Sequence, residues 1–281
     1  MRYPFSESVA KKSRSNFYPA FFFLPAEKRE AICAIYAFSR FVDDSVDEAT
    51  NRENARKEIQ LWRQRLKSCY NGRLFDSHPL LPEISEVIRQ FEISQSIFED
   101  LLIGVEMDLV KTRYKTFEEL EKYCYHVAGT VGLLCNQIFG GSSENHRAYA
   151  LSLGTAFQLT NILRDIGGDL DRGRLYLPLE EVASFSCRVE DLEKKIENKA
   201  FFELMKFQAS RAWGYFDQAK KRLSPSERNR FVTAEVMRRF YEGILKKMER
   251  EKFPSLRRRV GLGPIQKGRI LLSSWIHLRT K

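Results

Sequence analysis

Gln158, Asn161, Asp165 and Asp169 follow one another at spacings of three and four residues. On a helix of 3.6 residues per turn, these four share one narrow stripe. Phe157, Leu159, Ile162, Leu163 and Ile166 cover most of the remaining circumference. A helix apolar nearly all round is expected to be buried, so its polar stripe is not a solvated face. Buried carboxylates need partners. Two Asp one turn apart with an amide oxygen nearby make a hard-oxygen site for a divalent cation.

A second stretch repeats the arrangement. Between Ala31 and Asp47, residues Tyr36, Arg40, Asp43 and Asp47 form one stripe, while Ala31, Ala34, Phe38, Phe41, Val42 and Val46 line much of the rest. A lone Asp-x-x-x-Asp is ordinarily a surface patch. Two copies embedded in apolar helices, one with Asn a turn further back, point instead to carboxylate clusters facing across an interior cavity.

The elements that must position these stripes are helices. Helical periodicity dominates and alternating strand patterns are scarce. Pro25 in a first turn, followed by Glu27, opens the first stripe helix. Helices are predicted at 52–70, 82–90 and 93–110, punctuated by Asn71-Gly72 and by Pro79 and Pro82. Thr116-Phe-Glu-Glu119 has capping-box spacing and opens a helix running towards Phe139. Gly140-Gly141-Ser-Ser breaks the chain before the second stripe helix. Further helices are predicted from Pro178, over 197–223 and 227–250, and near 266–279. The sum is an all-α, single-domain bundle (1–281) of about ten helices with a central cavity.

Gly129 and Gly132 on the helix from Thr116 each weaken it by about 1 kcal/mol relative to Ala. Either a neighbouring helix or an apolar ligand chain must approach that face closely. The C-terminal run Arg269-Ile-Leu-Leu-Ser-Ser-Trp275-Ile-His-Leu-Arg279 is basic and amphipathic. Packing against the bundle is its first reading, and resting on a membrane surface its second.

Composition narrows the function. With 43 % hydrophobic and 12 % aromatic residues, the 281-residue chain suits a packed globule with a sizeable apolar cavity. A net charge of +10 admits nucleic acid, an anionic membrane or an anionic small substrate. No zinc-finger spacing, RNP-like motif or long basic arm supports nucleic acid. Cys33, Cys69, Cys124, Cys135 and Cys187 show no C-x-x-C pairing and are expected as free thiols. The four histidines lack His-x-x-x-His spacing, which argues against zinc. No signal peptide or membrane span is read, since Phe21-Phe-Phe-Leu24 is too short and is cut by Pro25. A cytoplasmic enzyme is expected, with peripheral contact to the inner membrane face left open. Gly261-Leu-Gly263 lacks a dinucleotide loop's third glycine, and no P-loop run exists.

Two facing oxygen-rich clusters in an apolar cavity suit Mg²⁺ bridged by a diphosphate. The ions would neutralise a leaving diphosphate so that a carbon–oxygen bond ionises. Arg40 and the C-terminal basic residues would hold remaining phosphate charge. A water-excluding wall would protect the carbocation, and aromatic faces would stabilise it. Isoprenoid diphosphate chemistry is the reading these residues reach unaided.

Several segments then resemble the squalene/phytoene synthase family. They are Asn16-Phe-Tyr with Phe-Leu-Pro25, Ala34 to Glu48, Tyr123 to Gly132, Gln158 to Asp165, and Asp171-Arg-Gly-Arg174-Leu-Tyr176-Leu-Pro178. Gly104-Val-Glu-Met-Asp108, Thr112-Arg-Tyr114 and Arg259 to Lys267 are similar, within that family, to bacterial presqualene diphosphate synthases of the hopanoid pathway. The resemblance implies an isoprenoid (terpene) synthase fold and head-to-head condensation of two prenyl diphosphates. It implies Asp43 and Asp47 as one metal-binding motif and Asn161, Asp165 and Asp169 as the other, with Mg²⁺ or Mn²⁺. Tyr36, Arg40, Gln158, Tyr241, Arg259 and Lys267 match positions near the diphosphates. Tyr123 matches a tyrosine near the reacting carbons, and Phe17 and Phe21 match cavity positions. Relatives commonly carry an acidic residue where this chain has Gly168 after Gly167, which makes Asp169 the least secure ligand because paired glycines loosen a helix.

The expected product is presqualene diphosphate from two farnesyl diphosphates, made without NADPH and passed to a downstream squalene-forming enzyme. A phytoene or dehydrosqualene synthase, or a full squalene synthase using NADPH, would carry the same motifs. A basic helical scaffold that binds anionic lipid or nucleic acid without catalysis is the non-enzymatic alternative. Divalent-metal dependence separates it from the enzymes.

Overall fold

Two long helices set the frame. The computed structural model describes residues 3–13 and 18–279, with side chains as far as Ile276. In chain order the helices are α1 (Pro4–Lys12), α2 (Tyr18–Phe21), α3 (Ala26–Asp47), α4 (Arg52–Tyr70), α5 (Leu80–Phe91), α6 (Gln95–Val110) and α7 (Phe117–Cys124). After a π-helical turn at Tyr125–Gly129 come α8 (Thr130–Phe139), α9 (Glu144–Asp171), α10 (Leu179–Ser184), α11 (Val189–Glu193), α12 (Lys199–Arg222), α13 (Val232–Arg250) and α14 (Pro264–Arg279). No strand occurs among the described residues. The one β-type contact is an isolated bridge between Arg113 and Leu175.

This is the all-α bundle that the periodicity predicts, with more helices than expected. The additional ones are α1, α2 and α11, too short for a 3.6 period to stand out, and α8, which the π turn separates from α7. The helix from Thr116 is broken by the π turn, and the one expected from Glu227 starts with a 3-10 turn before α13. Local signals explain most boundaries. The Asn51 and Asn198 side chains accept from Asn54 N and Phe201 N and start α4 and α12. Thr116 caps α7 by accepting from Glu119 N, but the Glu119 carboxylate accepts from Lys115 N instead of completing a capping box. The completed box belongs to Ser143 and His146, at the start of α9.

α9 packs against α12, α8, α13 and the π turn, while α3 packs against α1, α4, α5, α6 and α8. Behind α3 the core is aromatic, with Phe38 edge-on to Phe98 at 5.0 Å and to Trp62 at 5.7 Å. All five cysteines are free.

Gly132 and Gly154 show what the sequence left undecided. A Cβ on Gly132 would lie 2.6 Å from the Ala150 carbonyl oxygen, and one on Gly154 would lie 2.6 Å from that of Ala128. The close neighbour is therefore a helix: α9 crosses the π turn and α8 backbone to backbone. Gly167 has the same meaning, since a Cβ there would sit 2.3 Å from Leu256 O. The glycine pair does not loosen the helix end; α9 runs regularly through Asp169 to Asp171.

Candidate active site

Between α3 and α9 lie two contiguous chambers. The apolar one, roughly 340 Å³, is lined by residues that include Phe21, Ile35, Leu153, Phe157, Met237 and Tyr241. The polar one, about 280 Å³, is lined by Asp43, Asp47 and Asp108 from one side and by Asn161, Asp165 and Asp169 from the other. Arg40, Asp43, Val127, Gln158 and Asn161 line both. The two stripes therefore face each other as their periodicity requires.

Most of the predicted residues line one or both chambers. Tyr36 and Tyr241 line the apolar chamber, Gln158 both, and Tyr123 the polar chamber. Arg40 reaches both but pairs with Asp44 one turn on, at 2.7 and 2.9 Å. Arg259 grips Asp165 with two hydrogen bonds, 2.7 and 3.2 Å. Lys267 lies on α14 and is not among the residues lining either chamber. Phe17 lies outside the described residues.

Further groups converge that spacing alone did not single out. Asp108, on α6, accepts from Tyr176 Oη at 2.9 Å and from Tyr123 Oη at 3.0 Å. The Tyr123 and Tyr176 rings stack 5.1 Å apart. Arg174 donates to Asp47 at 3.0 Å, tying the chain after α9 to the end of α3. That placement starts at Gly173, whose φ of +74° suits glycine and lets the chain turn back beside α6. Leu175 N then donates to Thr112 O and Leu179 N to Tyr114 O, both at 2.9 Å. Arg164 is buried and pairs with Asp165 at 2.5 and 2.9 Å. Asp108, Arg174 and Tyr176 all fall in segments that carry the family resemblance, which was the signal available for them.

The electrostatics are those of buried, crowded carboxylates. Asp43 opens onto the chambers yet is ringed by protein, and desolvation, then Asp108 and Asp47, push its carboxyl up to about 7. Asp169 is pushed up to about 7 by desolvation and then by Asp165. Asp108 is also raised, mainly by burial. Asp165 is lowered: burial opposes its charge, but Arg164 and Arg259 outweigh that cost. Asn161 Oδ1 is buried without a hydrogen-bond partner. An orphaned amide oxygen beside crowded carboxylates is a donor set that a hard divalent cation would satisfy. Among the described residues, no group of three or more acidic, His or Cys side chains is arranged to hold a metal alone.

Residues 10–266 match the family described as squalene/phytoene synthase. The chain belongs to this family. It is a prenyltransferase, and the family's chemistry is head-to-head condensation of prenyl diphosphates. Among relatives, a 15-cis-phytoene synthase from Synechocystis sp. is 32 % identical over 98 % of this chain and 84 % of its own. One from Synechococcus elongatus is 34 % identical over 89 % of this chain and 85 % of its own. A dehydrosqualene synthase structure superposes with a TM-score of 0.85 at 27 % identity, covering 100 % of this chain and 97 % of the other. A squalene synthase from Alicyclobacillus acidocaldarius shares the fold, with a TM-score of 0.79 at 24 % identity over 88 % of this chain and 94 % of its own. The substrates of the squalene/phytoene synthase family are prenyl diphosphates.

Proposed function

We propose that this enzyme ionises one prenyl diphosphate and joins it head to head to a second. Both diphosphates would sit in the polar chamber and both tails in the apolar one. The observation that carries this reading is the continuity of the two chambers through Arg40, Asp43, Val127, Gln158 and Asn161. Asp43 and Asp47 on one wall, with Asn161, Asp165 and Asp169 on the other, would hold Mg²⁺, and Mn²⁺ suits the same oxygens. The bound ion supplies Lewis acidity towards the departing diphosphate.

The chain's own residues do the rest. Arg40, Arg174 and Arg259, now paired with Asp44, Asp47 and Asp165 respectively, would hold phosphate oxygens. The apolar wall excludes the water that would quench a carbocation. Phe157 and Tyr241, stacked 4.2 Å apart, add aromatic faces to that wall. Tyr123 Oη donates to Asp108 and keeps its lone pairs for the proton lost on cyclopropane closure. Its own proton would pass along that hydrogen bond to the Asp108 carboxylate in the same step, so that the phenol is never doubly protonated.

Phytoene from two C20 diphosphates is the product the curated relatives favour, since those matched over most of this chain are phytoene synthases. A C30 product from two farnesyl diphosphates, with presqualene diphosphate the form first expected, is the second reading. The full-length likeness to a dehydrosqualene synthase favours it, as do the segments at 104–114 and 259–267. Neither product requires NADPH. Mass analysis of products from C15 and C20 diphosphates with Mg²⁺, with and without NADPH, separates the readings. A C40 hydrocarbon from the C20 substrate supports the first, and presqualene diphosphate or dehydrosqualene from farnesyl diphosphate the second. Squalene appearing only with NADPH would replace both, and no turnover of either substrate would end the proposal.

A further inference from the structure

We infer that α14 is a membrane-docking helix whose outward face lies on an anionic bilayer surface. Taking 100° per residue, Ile265, Leu272 and Ile276 fall within about 40° of one another around the helix. They are 80, 58 and 48 % exposed, and Trp275 beside them is 44 % exposed. Arg269 is exposed on the same side. Single exposed apolar residues mean little. Three large aliphatic ones on one face, with a tryptophan and an arginine, have the composition of an interfacial helix.

The opposite face is anchored, so the orientation is set by packing. Ser274 is buried and accepts from Arg239 Nη1 at 3.1 Å. Ile270 and Leu271 pack against the core, and Lys247 Nζ donates to Gly261 O at 2.7 Å just before the helix. The apolar stripe is therefore held outward by the fold.

Charge selects the occupant. From Lys252 to Lys281 the sequence holds eight Lys or Arg and no Asp or Glu, within a chain of net charge +10. Arg257, Arg258 and Arg269 are exposed. A second copy of the chain would set one basic run against another. Anionic headgroups complement both the charge and the apolar stripe, each Lys or Arg near such a surface being worth about 1 kcal/mol, roughly fivefold in partitioning. The location also suits the reaction. On α13, Met237 and Tyr241 line the apolar chamber. Gly243 and Arg239, on the far side of that helix, meet Leu262 and α14. Docking would bring acyl chains to within one helix of a chamber built for apolar tails.

The test is co-sedimentation of the full chain with phosphatidylcholine vesicles, with and without phosphatidylglycerol. Binding is expected only with the anionic lipid and should be released by salt. Ile265→Asp/Leu272→Asp/Ile276→Asp should lower partitioning by about tenfold or more. Its melting temperature and its turnover of detergent-dispersed substrate should match the parent. If that variant does not fold, Arg257→Gln/Arg258→Gln/Arg269→Gln, all at exposed positions, decides by the same loss. Equal binding to neutral vesicles, no binding by the parent, or parent-like binding by the variant that folds would each overturn the inference. So would a concentration-dependent dimer that Leu272→Asp dissolves in a protein that ignores vesicles.

Discussion

Asp43 stands near three other carboxylates, Asp108, Asp47 and Asp44, with only Arg40 opposing them among its strongest neighbours. Such crowding costs the fold, and the divalent cation proposed above would relieve it. Asp43→Asn should therefore cut turnover by about 10²-fold or more. In chelator it should melt no lower than the parent, because a repulsion has been removed; thermal melts beside steady-state rates check both halves. Tyr123→Phe keeps the ring stacked on Tyr176 and tilted against Tyr114 but removes the hydroxyl that donates to Asp108. It should lower kcat by about 10²-fold or more with little change in melting temperature. A parent-like rate would make Tyr123 a packing residue. The stripe acids were legible because helical period and burial act on neighbours in sequence. Asp108 was not, because its partners lie 15 and 68 residues away and meet it only after folding. Arg259 could be placed by resemblance, yet its two bonds to Asp165 span 94 residues and no periodicity reports them.

At the scale of elements, helix identity was readable from apolar spacing, and close approach was not. Gly129, Gly132 and Gly167 each weaken a helix in isolation, so sequence alone leaves their purpose open. The crossing of α9 over the π turn answers for Gly132 and Gly154, and the carbonyls of Ser255 and Leu256 answer for Gly167. Gly154→Ala should cost about 1–3 kcal/mol, because the added methyl meets backbone that cannot move aside cheaply. Gly168→Ala, with nothing within 4 Å of its new Cβ, should instead stabilise the protein by up to about 1 kcal/mol. Denaturant melts of the pair measure both signs in one experiment. Similar losses from both would mean that helix propensity and contact distance do not govern these sites. The π turn itself had no sequence signal, since an inserted residue leaves the composition of its turn unchanged. It lies between Tyr123 and the glycine crossing, where such turns often accompany function.

At the scale of the molecule, no composition break divides the chain, and α9 packs against α7, α8, α11, α12, α13 and the π turn. The metal-free protein should unfold in one calorimetric transition; two separated peaks would divide it into domains. Excess chelator should abolish turnover while leaving that transition in place, since the fold rests on apolar packing. Full activity in chelator would overturn the metal-dependent reading. Tyr149 in the apolar chamber, Gln158 and Asn161 at the junction, and Asp165 and Asp169 in the polar chamber all belong to one uninterrupted helix. At 1.5 Å per residue, the twenty steps from Tyr149 to Asp169 make a rigid ruler of about 30 Å. Inserting or deleting one residue along it would swing the acids about 100° out of phase with the chamber wall. Variation in this helix is therefore confined to exchange of one side chain for another, and changes of chain length must fall in the segments outside it.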